Sequence, residues 1–427
     1  MSEDDIRSNQ PLTAIVNVGS PELNVLAASL SRKHLLHSYI RPFVRHGRWW
    51  EQLLSNLPIA GNLIDKAIGR RILPGFFDYA RLSEAGVMED FVLALARRLF
   101  NAGLPVPRNV FQYLSQRIDT KVVRNAYFVA HDAHVIVANQ GLGLELFKRE
   151  QIRRVLNYPI AHHAIAKEVL DAEAIADPEF ASMSTNMDYG NHRAAYYQRV
   201  DQEIKLADIV LVGSRFAKAS FLSAGVDETK VQVVNYGVDL NLFHPRSQGM
   251  ATRPFTALFV GSVDQRKGVG YLLRAFKKLK SKDMRLLVVG NIRNDATPLS
   301  AYLDVFEHRP NVPRSQLAKI YREADIFILP TLLEGLPLVV LEAMASGLPA
   351  IVTATGADDI VRSGIDGLVI QTRSVDAIVE AVVQVRDDRE LLMAMSRNAQ
   401  ERANHFSWDI YCKKVLEKLQ IEVAPQI

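Results

Sequence analysis

The sequence predicts an α/β protein built from two doubly wound parallel sheets. Three observations carry that expectation. At 427 residues the chain is long enough for two or three domains of about 100–200 residues each. Hydrophobic residues make up 48% and charged residues 23%, enough apolar side chain for sizeable cores, which excludes disorder or a coiled coil as the main state. In both halves, short β-branched or apolar runs alternate with longer stretches whose apolar residues recur every three or four positions, as strands and crossover helices do.

Along the first half, strands are expected at 13–19, 134–139, 154–159, 208–214 and 231–237. Ser20 and Pro21 read as the N-cap and first turn of the helix after the first strand. The stretch 241–254 holds two prolines, a glycine and small polar residues, so it reads as a linker between domains 1–250 and 251–427. The second half is clearer, with strands at 255–261, 285–290, 325–330, 348–353 and 367–370. The segments VGYLLRAFKKLK, QLAKIYREA, LPLVVLEAMAS and SVDAIVEAVVQV supply the helices between them. Each half is then a Rossmann-like unit. A last helix, at about 405–420, follows the completed second sheet and could pack back on the first domain.

Charge narrows the partners. The balance of 51 Lys+Arg against 47 Asp+Glu is too even for a surface built for nucleic acid, so any basic site is local. Cys412 is the only cysteine, which excludes an intrachain disulfide or a thiolate metal cluster and points to the cytoplasm. The start MSEDDIRSNQ has no apolar core, and no run of about 18 apolar residues occurs, so neither a signal peptide nor a spanning helix is expected.

One stretch is strongly basic. Between Ser31 and Gly75, Arg32, Lys33, Arg41, Arg45, Arg48, Lys66, Arg70 and Arg71 face only Glu51 and Asp65, eight against two, or +6 in a chain of +4. Trp49, Trp50, Leu53, Leu54 and Leu57 fall at helical spacing within it. That composition suits peripheral contact of 41–71 with anionic lipid, and equally an amphipathic helix pair packed on the first sheet.

Two motifs carry chemistry. The first is Glu334-Gly335-Leu336-Pro337, leading into a markedly apolar helix that contains Glu342 and ends at Gly347. Pro337 suits the first helical turn and Gly347 the position just past the end. A helix opening at the carboxyl edge of a sheet favours anions there. Glu342 is flanked by Val339, Val340, Leu341, Ala343 and Met344, so its carboxylate needs partners such as vicinal sugar hydroxyls. The second is Gly261-Ser-Val-Asp-Gln-Arg266-Lys267-Gly268, again between a strand and a helix. It does not fit a Walker loop; it offers a guanidinium fork and an ammonium to a diphosphate.

Together with Pro330 and Gly364-Ile-Asp-Gly367, these motifs resemble the donor-binding half of retaining glycosyltransferases of family 4, which have the two-domain GT-B fold with both domains facing a cleft. The resemblance is strong from about 205 to 410. It implies that Arg266 and Lys267 hold the diphosphate of a nucleotide-sugar donor, Glu342 the ribose hydroxyls, Glu334 the transferred sugar and the backbone near Val312 the base. It also implies a front-face retaining transfer, in which a diphosphate oxygen takes the acceptor's proton and no protein nucleophile is needed.

The first half follows that family less closely. Only Gly19 stands where a glycine-rich loop is usual, and Glu22 sits badly with phosphates, so this helix is expected to serve the acceptor. His162 and His163 follow the 154–159 strand, where the family tends to place a histidine towards the reaction site. His131, Asp132 and His134 read better as a polar loop than as a metal site. No Asp-x-Asp occurs, so the donor is expected to be bound without metal or cofactor, its charge met by Arg266 and Lys267. The expected function is transfer of a sugar to a saccharide or lipid-linked acceptor in bacterial polysaccharide or glycolipid assembly, at the cytoplasmic face. A sugar-nucleotide epimerase or hydrolase, and a non-catalytic nucleotide-sugar sensor or scaffold, are the alternatives.

Overall fold

The computed structural model describes residues 11–45, 48, 51–52, 56, 73, 76, 78–101, 104–184, 191–246, 254–280, 283–292 and 295–421. In chain order the first half runs β1 (Thr13–Val16), α1 (Pro21–Arg32), β2 (Leu36–Arg41), β3 (Leu82–Glu84), α2 (Val87–Asn101), α3 (Arg108–Val129) and β4 (Val135–Asn139). It continues with α4 (Leu144–Phe147), β5 (Arg153–Asn157), α5 (His163–Ala176), α6 (Asn191–Leu206), β6 (Ile209–Val212), α7 (Arg215–Ser223) and β7 (Val231–Val233). The second half runs β8 (Phe255–Val260), α8 (Val269–Leu279), β9 (Met284–Val289), β10 (Phe306–Arg309), α9 (Arg314–Glu323), β11 (Ile326–Leu329) and α10 (Leu338–Ala345). It closes with β12 (Ala350–Thr353), β13 (Gly367–Ile370), α11 (Val375–Asp387), α12 (Arg389–Ala403) and α13 (Trp408–Lys418).

Two sheets result, ordered β3-β2-β1-β4-β5-β6-β7 and β10-β9-β8-β11-β12-β13. The pairs from β3 to β6, and all those of the second sheet, are parallel. Both sheets grow outward one way and then restart beside their first strand, the doubly wound order that leaves a crevice at the carboxyl ends where the direction switches. Strands β1, β6, β11 and β12 are buried throughout, as parallel strands covered on both faces must be. The chain divides into two compact units: Met1–Tyr158 with Ala194–Leu211 and Val415–Ile427, and Pro159–Arg193 with Val212–Lys414.

In the first unit the carboxyl ends of β1 and β4 are tied by polar side chains. Ser20 caps α1 by position only, because its Oγ donates to Asn139 Oδ1 at 2.7 Å rather than to the helix. Asn17 Oδ1 accepts from the N–H groups of Gly19 (3.0 Å) and Ser20 (2.8 Å), holding the turn that enters α1. Glu22 is buried and accepts from Asn157 Nδ2 at 2.8 Å. Arg153 Nη1 donates to Leu419 O at 2.7 Å, which fastens the end of α13 to β5.

The basic stretch is corrected in part. Arg41 lies on β2, an inner strand between β1 and β3, and is buried with Nη1 donating to Asn24 Oδ1 at 3.0 Å, so it does not face lipid. Arg48 pairs with Glu84. Trp49, Trp50, Leu53, Leu54, Leu57, Lys66, Arg70 and Arg71 lie outside the described residues.

Candidate functional site

The crevice of the second sheet lies where β8 and β11 adjoin, and the two motif-bearing loops leave these two strands. After β8, Gly261 has φ +153° and Gly290 packs so close behind it that a Cβ there would stand 1.8 Å from Gly261 O. The turn Gln265–Lys267 is capped by Asp264, whose carboxylate accepts from Lys267 N at 3.1 Å, and is closed by Gly268 at φ +73°. The Arg266 carbonyl accepts from Leu332 N (2.8 Å) and Thr331 Oγ1 (3.1 Å), which sews this turn to the loop after β11.

That loop delivers Glu334. Arg266 Nη1 and Lys267 Nζ both contact Glu334 Oε1, and Arg266 Nη1 also donates to Leu333 O at 3.0 Å. All three side chains are largely buried. Burial alone would raise the Glu334 carboxyl, but the two cations outweigh it and hold it at about 2. Burial pushes the Lys267 ammonium below its usual range, with Glu334 opposing. A guanidinium and an ammonium thus meet on Glu334 at the switch point, with buried Asp264 behind the same turn, and it is their forked placement rather than a net charge that suits an anion.

Glu342 stands on α10, buried as its apolar neighbours required. Its carboxylate accepts from Arg314 Nη2 at 3.2 Å, and Tyr321 OH lies 3.2 Å from its Oε2. Burial dominates and raises it to about 7, so near neutrality it is a poised hydrogen-bond group. Pro337 is the N-cap of α10 rather than its first turn, Leu336 is buried, and Gly347 takes φ +79° just past the helix end. Gly335 has no room for a side chain, since a Cβ would meet Pro159 O at 1.9 Å. Val312 is half-buried beyond the end of β10, where its neighbour Asn311 donates from its backbone N–H to Asn291 Oδ1 (3.4 Å) in the loop after β9.

His162 and His163 belong to the same unit. Ala161 and Ala166 pack with Leu333, so the start of α5 lies against the Glu334 loop. His162 caps α5, its Nδ1 accepting from Ala164 N at 3.3 Å, and its ring stacks on His163 at 4.4 Å. Burial pushes the His163 imidazole down to about 4, leaving it neutral at physiological pH. In the first unit, Asp132 pairs with His37 at 2.8 Å and His134 Nδ1 accepts from Leu12 N at 3.2 Å, so both have structural partners.

Sequence reasoning missed a network behind the Arg266–Lys267 turn. Gln265 is fully buried; its Nε2 donates to Glu173 Oε1 (2.7 Å) and Asp177 Oδ2 (3.0 Å), and its Oε1 accepts from Gly270 N (3.0 Å). Arg373 Nε donates to Glu173 Oε2 at 2.6 Å, and Arg274 holds Asp177 by two bonds of 2.8 and 2.6 Å. The nearest signal was Gln265's place beside Arg266, because acids at the end of an amphipathic helix ordinarily read as solvated.

Comparison with known proteins fits this geometry. The family model described as glycosyl transferases group 1 matches residues 242–402, which contain both motifs. These residues form a group 1 glycosyltransferase domain. A D-inositol 3-phosphate glycosyltransferase of Kribbella flavida is 26% identical over 392 residues, covering 79% of this chain and 91% of the relative. A UDP-Gal:alpha-D-GlcNAc-diphosphoundecaprenol alpha-1,3-galactosyltransferase of Escherichia coli is 29% identical over 195 residues, covering 42% of this chain; the match spans half of that relative. Among solved structures, sucrose-phosphate synthase from Thermosynechococcus elongatus has the same fold, with a TM-score of 0.66, 18% identity, and coverage of 96% and 98%. Anabaena Alr3699/HepE in complex with UDP-glucose has a TM-score of 0.61 at 15% identity, with coverage of 96% and 100%. The chain therefore carries a group 1 glycosyltransferase domain at residues 242–402, within a fold of two parallel-sheet α/β domains of the GT-B type.

Proposed function

We propose that this glycosyltransferase is retaining and metal-independent, and moves a sugar from a nucleotide-diphosphate sugar to a hydroxyl of a saccharide or lipid-linked acceptor in polysaccharide or glycolipid assembly at the cytoplasmic face. The observation that carries the reading is the convergence of Arg266 and Lys267 on Glu334 at the β8/β11 switch point. In the roles proposed, the two cations stabilise the charge that grows on the diphosphate as the glycosidic bond stretches, worth several kcal/mol in a dry site. Glu334 passes from the cations to hydroxyls of the transferred sugar. Glu342 accepts from the ribose, the backbone at Val312 meets the base, and neutral His163 or His162 orients the acceptor. Residues 251–427 form the donor domain and residues 1–250 the acceptor domain. The acceptor named for the Escherichia coli relative supports a lipid-linked substrate.

The test is a panel of UDP-, GDP- and ADP-sugars in excess EDTA, following nucleotide release and, by NMR, the anomer formed. Release in EDTA with the donor's anomeric configuration preserved supports the reading. Release only after Mg²⁺ or Mn²⁺ is restored overturns metal independence, and an inverted anomer overturns retention. Thermal stabilisation by a nucleotide sugar with no release under any condition would favour a sensor.

A further inference from the structure

We infer that Ser214 is a positioning residue for the donor: its hydroxyl fixes the Gly335–Leu336 peptide so that the Leu336 N–H is held for a diphosphate oxygen of the nucleotide sugar. The inference rests on the reading of the Glu334 loop as the donor site.

Ser214 follows β6, is the N-cap of α7 and is fully buried. Its Oγ makes two bonds at once. It accepts from Ala217 N at 3.1 Å, as an N-cap does, and it donates to the carbonyl oxygen of Gly335, far away in the sequence. A cap needs only the first of these. The surroundings leave the hydroxyl little freedom. A Cβ on Gly213 would stand 2.8 Å from Leu336 Cβ, so the chain entering α7 lies directly against the loop after β11. Asn235 Nδ2 donates to the Gly213 carbonyl at 3.0 Å, and the Asp359 carboxylate accepts from Arg215 N at 2.8 Å and Arg215 Nε at 2.6 Å. Ser214 therefore sits between two pinned residues.

Holding one carbonyl sets the direction of the next N–H. In a planar trans peptide the two bonds point opposite ways, and no cis peptide occurs among the described residues. With Gly335 O turned to α7, the Leu336 N–H is turned away from it. Leu336 is buried, and its N–H has no hydrogen-bond partner among the described residues. Pro337, the N-cap of α10, has no N–H of its own and makes no side-chain cap bond. A buried backbone N–H without a partner is rare, which marks this one for a ligand oxygen. It lies two residues past Glu334, whose carboxylate meets Arg266 and Lys267. A diphosphate held by those cations supplies the oxygen that fits.

The experiment is calorimetric titration of the full chain with whichever of UDP, GDP and ADP wild type binds most tightly, with urea midpoints measured alongside. Ser214→Ala should weaken nucleotide binding about tenfold, the size of a hydrogen bond to a charged group. Ser374→Ala is the structural control. It removes a comparable helix cap, the bond from Ala377 N to Ser374 Oγ at 3.1 Å, and should lower the urea midpoint without moving nucleotide affinity. Ser214→Thr and Ser214→Val share one shape and differ in the hydroxyl, so the Thr variant should bind nucleotide more tightly than the Val variant. Should Ser214→Ala misfold by circular dichroism, that comparison decides. Wild-type affinity in folded Ser214→Ala, or equal affinity in the Thr and Val variants, overturns the inference. Lys267→Ala separates it from the reading beneath. If Lys267→Ala weakens binding and Ser214→Ala does not, only the role of Ser214 falls. If neither does, or wild type binds none of the three nucleotides, the donor site itself is misassigned and the inference falls with it.

Discussion

The side-chain amide of Gln265 donates to Glu173 at 2.7 Å, and both side chains are fully buried. Glu173 lies near the end of α5, whose first turn carries His163; Gln265 opens the turn that carries Arg266 and Lys267. The two regions that the sequence assigns to acceptor and donor are thus joined by one rigid helix of about 21 Å. Gln265 uses both amide hydrogens and its carbonyl, so it cannot turn without breaking three bonds.

Gln265→Leu therefore strands a backbone N–H and removes a donor from two buried carboxylates, at a cost of about 1–3 kcal/mol per unsatisfied group. It should lower the urea midpoint and raise the donor KM more than the acceptor KM. Glu173→Gln, which keeps the shape, should recover much of the stability. A Gln265→Leu protein with wild-type midpoint and donor KM would show that the network positions nothing.

Arg266→Ala and Lys267→Ala should each lower turnover by about 10²-fold, since each removes a charge-assisted contact to the developing diphosphate charge. Glu334→Gln should separate binding from turnover. It frees both cations from their internal anion, so UDP should bind at least as tightly as to wild type, while turnover falls by about 10²-fold. If UDP affinity and turnover fall together in Glu334→Gln, the carboxylate is only a scaffold for the cations. The depressed Glu334 group stabilises the fold above its ordinary value of 4.5, and that contribution is lost as pH falls towards about 2.

Glu342 has the opposite sign. Its folded value of about 7 lies above the ordinary 4.5, so between these the folded chain holds the extra proton. Stability from this group is full below 4.5 and declines as pH rises through about 7. Ribose binding by an accepting carboxylate should run the other way, UDP affinity rising as pH climbs through the same range. Glu342→Gln should flatten both profiles, measured by urea unfolding and calorimetric titration of UDP. Profiles that keep their slopes in the variant would assign the titration to another group.

Much of the fold was legible because buried parallel strands write themselves as apolar runs: Ile326–Leu329 and Ala350–Thr353 could be little else. The strands that escaped are those whose side chains meet other conditions. Phe306–Arg309 is an edge strand with one apolar residue in four, and Leu36–Arg41 carries His37, Ser38 and a buried Arg41 that read as belonging to a basic surface. In the site, Glu334, Arg266 and Lys267 were visible from loop position at a sheet edge, and Glu342 from its apolar flanks. Gln265, Glu173, Asp177 and Arg373 were not, because they pair over long separations in sequence and each alone resembles a solvated polar residue.

Gly268 and Gly335 in the switch-point loops, set against Gly364 and Gly19 elsewhere in the chain, offer a graded test of how closely the crevice's backbones pass. At Gly268 a Cβ would stand 2.0 Å from Pro330 O, and φ is +73°, so Gly268→Ala adds a backbone clash to left-handed strain of about 1–2 kcal/mol. At Gly335 the obstacle is Pro159 O at 1.9 Å, again backbone, and relief requires parting the Glu334 loop from the start of α5. Gly364 has φ +80° but nothing within 4 Å, so Gly364→Ala isolates the strain alone. Gly19 has neither a positive φ nor a neighbour within 4 Å, and Gly19→Ala should be close to neutral. The expected order of destabilisation is Gly268 above Gly364 above Gly19, with Gly268→Ala costing about 3 kcal/mol or more. Gly335→Ala should weaken UDP stabilisation most per unit of stability lost, because the displaced atoms carry Glu334. Equal midpoints for the Gly268 and Gly364 variants would mean that the β8 and β11 loops do not approach this closely in solution, and the packing that brings Lys267 to Glu334 would have to be redrawn.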